Sequence, residues 1–237
     1  ARVRPLRGLP VIEAGRGHGE VFDDSFTLTL DAGRATPPEG GALDMSGLVF
    51  RMPDTTMRPP DGELRWRSEG SVTAALSLLD QPPLRLMERT GRPVALADGR
   101  ARLAGTIRFP MRGASPATIA YDLAGEIADL RSEVLVPGRL LEADRLRVNA
   151  TPDGLALAGT ARLDGVGFAG RYRQPFGPDA PPARVEGRVT LSPGLADAFP
   201  LGLPAGALSG SAPAELTLTL PRGAPPGLRL ESDLAGL

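Results

Sequence analysis

The chain has 237 residues, a formal net charge of -1 and a pI near 6.0, with both signs scattered along it, so it offers no electrostatic footprint for nucleic acid or an anionic membrane surface. All 27 basic residues are Arg, which excludes a P-loop lysine, a Schiff base and a lysine general base; the absence of cysteine excludes disulfides, zinc-thiolate sites and thiol nucleophiles. The strongest apolar runs are of the size of AALSLL, Ala74 to Leu79, far below the ~18 to 20 residues of a membrane helix.

In chain order, the first landmark is GRGHGE, Gly15 to Glu20, which reads as a glycine-rich turn carrying the single histidine, His18. Alternation of period two begins at Phe26, Leu28 and Leu30. PPDG at Pro59 to Gly62 reads as a tight turn. From Glu63 to Leu78 the apolar residues Leu64, Trp66, Val72, Ala74, Leu76 and Leu78 hold one phase, predicting one long strand or two joined at Gly70. A short helix is expected around Leu84 to Thr90, and ADG at Ala97 to Gly99 reads as a second turn.

Further strands follow at Ala101, Leu103, Ile107 and Phe109, and at Ile119, Tyr121, Leu123 and Ile127. Others lie at Leu146, Val148 and Ala150; at Leu155, Leu157, Ala161 and Leu163; at Val185, Val189 and Leu191; and at Leu216, Leu218 and Leu220. TPDG, Thr151 to Gly154, reads as a hairpin turn. A second short helix is expected at Pro193 to Phe199, with Pro in its first turn. With roughly ten strands and no helix of crossover length between them, the expected fold is all-β and mostly antiparallel, with one or two short helices.

A loose repeat runs through this pattern. LAGT at Leu103, LAGT at Leu157 and LSGS at Leu208 place Gly105, Gly159 and Gly210 at intervals of 54 and 51 residues, and DLAG recurs at Asp122 and Asp233. Units of about 50 residues that stack on one another predict one elongated segment over 1–237. The chain lacks a starting Met and ends in SDLAGL within a strand-like pattern, which reads as an internal piece of a longer protein.

Catalytic chemistry finds little support. His18 has only Glu13, Glu20, Asp23 and Asp24 near it in sequence, with neither a nucleophile nor metal-ligand companions. Glu63, Glu69, Glu186, Glu215 and Glu231 hold the polar phase of alternating strands, where they suit a solvated cross-strand ladder. Ser209 and Ser211 lie in no G-x-S-x-G elbow. The expectation is a protein that is not an enzyme and needs neither cofactor nor metal.

The apolar face remains. It must lie against a second sheet, close into a barrel, or cover something that is not protein. Aromatics are 4% of the chain, so Leu, Ala, Val and Gly dominate the inward phase, and on composition alone a Leu-rich dry core is the default. The aromatic girdles of an outer-membrane barrel are missing.

The order of the motifs SLLDQPPLRLMERTG, GRARLAGTIRFPM, YDLAGEIADL, VPGRLLEADRLRVNATPDGLALAGTARLDG, RYRQPFGPDAPPARVEGRVTLSPGLADAFPLGLP and ALSGSAPAELTLTLPRG resembles the middle region of YhdP-type proteins, members of the AsmA-like group related to TamB. The resemblance covers residues 63–237; residues 1–62, the N-terminal strands, match more weakly. It implies a sheet curled into a trough with an apolar inner face, in a periplasmic segment of an inner-membrane-anchored envelope protein of a Gram-negative bacterium. It also implies phospholipids as cargo and, as partners, the remainder of the same chain, its inner-membrane anchor and contacts at the outer membrane, with no nucleic acid.

On that reading the groove is lined by Leu64, Trp66, Val72, Leu76 and Leu78, by Leu103, Ile107 and Phe109, by Leu155, Leu157 and Leu163, and by Val185, Val189, Leu216, Leu218 and Leu220. Gly105, Gly159 and Gly210 share the inward phase. The alternatives are a structural or envelope-assembly scaffold with a dry β-sandwich core and, more distantly, a carbohydrate-active β protein; a groove and a core show the same alternation.

Overall fold

The structure is a computed structural model that describes residues 2–3, 12–82, 85–115, 117–177, 179–199 and 208–236. It is all-β and mostly antiparallel. The strands are β1 (Arg2–Val3), β2 (Ile12–Phe22), β3 (Ser25–Ala35), β4 (Leu43–Asp44), β5 (Leu48–Met52), β6 (Asp61–Ser71), β7 (Asp98–Pro110), β8 (Ala120–Ser132), β9 (Leu141–Thr151), β10 (Gly154–Leu163), β11 (Val166–Pro175), β12 (Ala183–Leu191), β13 (Ala212–Leu220) and β14 (Gly227–Glu231). Three short helices accompany them: α1 (Val72–Leu79), α2 (Leu86–Thr90) and α3 (Pro193–Ala198). The chain forms two compact units, Ala1–Ala128 with Asn149–Pro152, and Asp129–Val148 with Asp153–Leu237. In neither, among the described residues, does the last strand pair back onto the first, so neither closes into a barrel.

In the first unit β1, β2 and β3 pair in order, β3 pairs with both β4 and β5, these pair with β6, and β6 pairs with β7 and β7 with β8. GRGHGE is not a turn. It lies inside β2, with His18 opposite Thr29 and Gly19 opposite Leu28. A Cβ on Gly17 would fall 2.5 Å from the Thr29 carbonyl oxygen and 3.1 Å from Leu30 Cδ2. At Gly17 the backbone and Leu30 of the neighbouring strand therefore occupy the space a side chain would need.

The predicted strand Glu63 to Leu78 breaks after Ser71. Val72, Leu76 and Leu78 are on helix α1 and not on a strand. Ser71 is its N-cap: the hydroxyl oxygen accepts from the Ala74 N–H (3.0 Å) and the hydroxyl donates to the Gly40 carbonyl (2.7 Å). Gly40, with φ of +82°, fits so close that a Cβ there would meet Ala74 N at 2.1 Å. Residues 72 to 79, VTAALSLL, are mostly Ala and Leu, good helix formers. Apolar residues at every position from Ala74 to Leu79 except Ser77 satisfy a period of 2 and one of 3.6 alike, so only the cap separates the two readings. The Asp80 carboxylate accepts from the Met87 and Glu88 N–H groups, both at 2.8 Å, and caps α2, the helix expected around Leu84 to Thr90; Leu84 lies outside the described residues.

Two expected turns are also strand. Asp61 and Gly62 open β6 and Asp98 and Gly99 open β7, so PPDG and ADG mark strand starts. TPDG does join β9 and β10, with Pro152 and Asp153 between them.

In the second unit the order runs through β9, β10, β11, β12, β13 and β14. Asp164 (φ 49°) and Gly165 (φ 82°) turn β10 into β11, with Leu163 opposite Val166; both residues need positive φ, the condition of a type I′ hairpin. The Asp164 carboxylate also accepts from the Leu140 N–H (2.8 Å) and from Arg139 Nη1 (2.9 Å). Ser192 caps α3, accepting from the Leu195 N–H at 3.3 Å, and Pro193 sits in its first turn. Arg139 donates to the Ala198 carbonyl (3.1 Å) and lies 4.4 Å over the Phe199 ring, which fastens the end of α3.

Of the repeat glycines, Gly105 and Gly159 are mid-strand in β7 and β10, whereas Gly210 lies two residues before β13 and belongs to no strand. The DLAG copies also differ, the first being part of β8 and the second following β14. The helix boundary at Ser71 yields a direct expectation: Ser71→Ala lowers stability by about 1 to 2 kcal/mol, measured as a fall in the urea midpoint with an unchanged slope.

Candidate functional site

In the second unit cross-strand register assembles one continuous apolar face. Leu157 is opposite Tyr172, Tyr172 opposite Val185, Val185 opposite Leu218 and Leu218 opposite Leu228. Four residues along, Ala161, Phe168, Val189 and Ala214 form a parallel row. Leu155, Leu163, Leu216 and Leu220 hold the same phase, so all eight lining residues expected here (Leu155, Leu157, Leu163, Val185, Val189, Leu216, Leu218 and Leu220) share one face.

The face is unevenly covered. At one end Val189, Leu191, Leu195 and Ala214 are buried together, with Phe168, Phe199 and Leu216 packed on them. At the other, Leu155, Leu157, Tyr172, Val185, Leu218 and Leu220 stay half-buried and Leu228 is 51% exposed. The cause is length. A helix of six residues spans roughly 9 Å, against roughly 30 Å for strands of nine or ten residues. Polar groups on the open half are few: the Tyr172 hydroxyl donates to Gln174 Oε1 at 3.0 Å, beside Leu155, which faces Gln174.

Between the two rows lie Gly159, Gly170 and Gly187, directly opposite one another on β10, β11 and β12. A Cβ on them would meet the carbonyl oxygens of Arg145, Glu186 and Ala169 at 2.6, 2.5 and 2.2 Å. Backbones here approach more closely than any side chain permits, and a furrow without side chains crosses three strands. Sequence reasoning found Gly159 and missed the other two, as it missed Phe168 and Tyr172. Val166, Phe168 and Tyr172 do alternate in β11, but Gly170 interrupts the signal.

The first unit treats its apolar face differently. Phe50 is opposite Leu64 and Leu64 opposite Ile107, while Trp66 is opposite Gly105 and Ser68 opposite Leu103. A Cβ on Gly105 would sit 2.6 Å from Trp66 Cη2, so the indole occupies the glycine's missing volume. Helix α1 brings Ala75, Leu78 and Leu79 over this surface and leaves a cavity of about 70 Å³ lined also by Leu64, Trp66, Leu103 and Ile107. That is less than half of the ~150 Å³ that admits a benzene ring. Phe109 is 2% exposed and stacks with Phe50 at 6.5 Å, and Val72 is buried in α1. Of the eight lining residues expected in this unit, Leu64, Trp66, Leu78, Leu103 and Ile107 line this cavity, Val72 and Phe109 are buried, and Leu76 is half-buried on α1.

The opposite faces are charged ladders, as the alternation implies. Arg188 Nε meets Glu215 Oε1 at 2.8 Å, Arg102 meets Glu69 at 3.0 Å and Arg162 meets Asp144 at 3.0 Å. Glu63, 13% exposed, accepts from Arg65 Nε (2.7 Å) and Arg108 Nε (2.8 Å); the Arg108 hydrogen bond, with the charges of both arginines, holds its carboxyl below the usual glutamate value of 4.5. His18 Nδ1 lies 3.6 Å from Asp31 Oδ1, both half-exposed. Among the described residues no group of three His, Cys, Asp or Glu side chains could hold a metal ion, and no helix is long and apolar enough to cross a membrane.

Two consequences are measurable. Gly187→Ala lowers stability by about 1 to 3 kcal/mol because its neighbours are backbone, whereas Gly167→Ala in β11, with nothing within 4 Å, is neutral or slightly stabilising. A depressed carboxyl stabilises the folded state above its unfolded pKa and ceases to as pH falls through the folded one. Glu63→Gln therefore costs about 1 kcal/mol at pH 7, and in urea titrations the difference vanishes as pH falls below 4.5. No family model matches the chain, nor does any curated protein or solved structure.

Proposed function

We propose that the chain is a segment of a periplasm-spanning bridge that shields phospholipid acyl chains between inner and outer membranes, in keeping with its resemblance to the AsmA-like group. The observation that supports this reading is the open half of the second unit's apolar face, where Leu155, Leu157, Val185, Leu218 and Leu220 are brought together by register and, among the described residues, covered by no helix. Exposing an acyl chain to water costs ~0.8 kcal/mol per methylene, on the order of 20 kcal/mol for a two-tailed lipid. An apolar strip offsets much of that without a tight site, and lipid moving along it needs no chemistry from the protein.

A second reading, a non-catalytic scaffold with a dry core, is favoured by the first unit, whose apolar face is closed by α1 down to a cavity of about 70 Å³. The test separates the two. Leu218 lies on the apolar face opposite Val185, and Thr217 on the polar face opposite Glu186. A photo-crosslinking residue at position 218 forms phospholipid adducts in cells and one at position 217 does not, read by mass spectrometry. Adducts at both positions, or at neither, sink the groove; lipid-free protein on solvent extraction supports the scaffold.

A further inference from the structure

We propose that the charged face of the second unit binds a diphosphate group, in a shallow depression lined by Arg147, Ala158, Arg171 and Glu186. Ala158, Arg171 and Glu186 are directly opposite one another on β10, β11 and β12, in the phase opposite to Leu157, Tyr172 and Val185. The site therefore lies on the reverse of the apolar strip and does not depend on any lipid held there. The depression is open and measures about 410 Å³; besides Ala158, only Gly159, Gly170 and Gly187 line it between the charged side chains.

Charge sets this place apart from the rest of the face. Toward one end of the strands Arg162 meets Asp144 and Arg188 meets Glu215. Toward the other, Arg173 is directly opposite Arg184, a placement of like charges that costs stability, and Arg171 lies two residues from Arg173 on the same face. Among the described residues Arg147, Arg171, Arg173 and Arg184 make no ion pair, and all four are exposed. Along the rows Ala158–Arg171–Glu186–Thr217 and Ala156–Arg173–Arg184–Thr219, Glu186 is the only carboxylate. The charges are scattered in sequence, and register gathers them.

Spacing and donor count select the ligand. Neighbouring strands lie roughly 4.8 Å apart and alternate residues roughly 6.8 Å, so the guanidiniums, on their long stems, reach a common centre. One bidentate arginine already saturates a carboxylate. A diphosphate spreads its charge over two tetrahedral centres and offers acceptor oxygens to several guanidiniums at once. Glu186, opposite Arg171, repels a continuous polyanion and suits a hydroxyl on the group that carries the diphosphate.

Titration calorimetry of the 237-residue chain with inorganic pyrophosphate at low salt tests this. The expected result is one saturable site, weakened about tenfold by Arg171→Gln or Arg184→Gln and unchanged by Arg188→Gln, whose arginine is already paired on the same face. Circular dichroism on each variant confirms that the strands persist. Arg184→Gln also raises the urea midpoint of the ligand-free protein, because it removes the charge opposite Arg173; an arginine with a structural role would lower it. Phosphatidylcholine vesicles carrying a prenyl diphosphate sediment the chain where the diphosphate is borne by a lipid, and leave it in solution where the carrier is a soluble molecule. No saturable binding of pyrophosphate, citrate bound as tightly as pyrophosphate, equal weakening by Arg188→Gln, or a lowered midpoint in Arg184→Gln overturns the proposal.

Discussion

An antiparallel sheet with one apolar face needs a cover as long as its strands, and the described residues hold three helices, of eight, five and six residues, to supply one. Everything else in the structure depends on how that shortage falls. In the first unit the longest helix, held by Ser71 and the Gly40 loop, lies over Leu64, Trp66 and Ile107, and the face becomes a core with a small residual cavity. In the second unit α3 reaches only the Val189, Leu191 and Ala214 end, and the leucines toward Leu155 and Leu220 are left half-buried. This half-buried apolar strip is the feature on which the proposed function rests.

Glycine acts as a packing residue here more than as a turn residue. At Gly17 in β2 it makes room for the Thr29 carbonyl and Leu30 of the next strand, at Gly105 for the Trp66 indole, and at Gly159, Gly170 and Gly187 for the neighbouring backbones. In each case the side chain that would have signalled burial is absent because a neighbour fills its volume. The apolar signal in the sequence is therefore weakest where strands approach most closely.

Charge is arranged to solubilise and to register, with arginine doing the work that lysine shares in other proteins. Arg188 with Glu215, Arg102 with Glu69, and Arg65 and Arg108 with Glu63 tie adjacent strands or adjacent positions on the solvated faces. The planar guanidinium suits such ladders because one side chain can reach two carboxylates. On β14 Glu231 faces a like charge, Glu215, and takes its cation from Arg229 of its own strand.

The sequence by itself determined the all-β class, the phase of strands such as β7, β10, β12 and β13 whose inward positions carry large apolar side chains, the charged ladders, and the two helices marked by proline or by a flanking break. Alternation is a local property, legible wherever Leu, Val or Phe recurs at every second residue. Only the tertiary structure decided that Val72, Leu76 and Leu78 are helical, because a Leu-Ala run satisfies both periods and the deciding hydrogen bonds come from Ser71 and from Gly40, 31 residues away. Only it placed GRGHGE in a strand, aligned the three glycines across β10, β11 and β12, and left half of one apolar face open, since each of these depends on the register and reach of a neighbouring element rather than on the residues themselves.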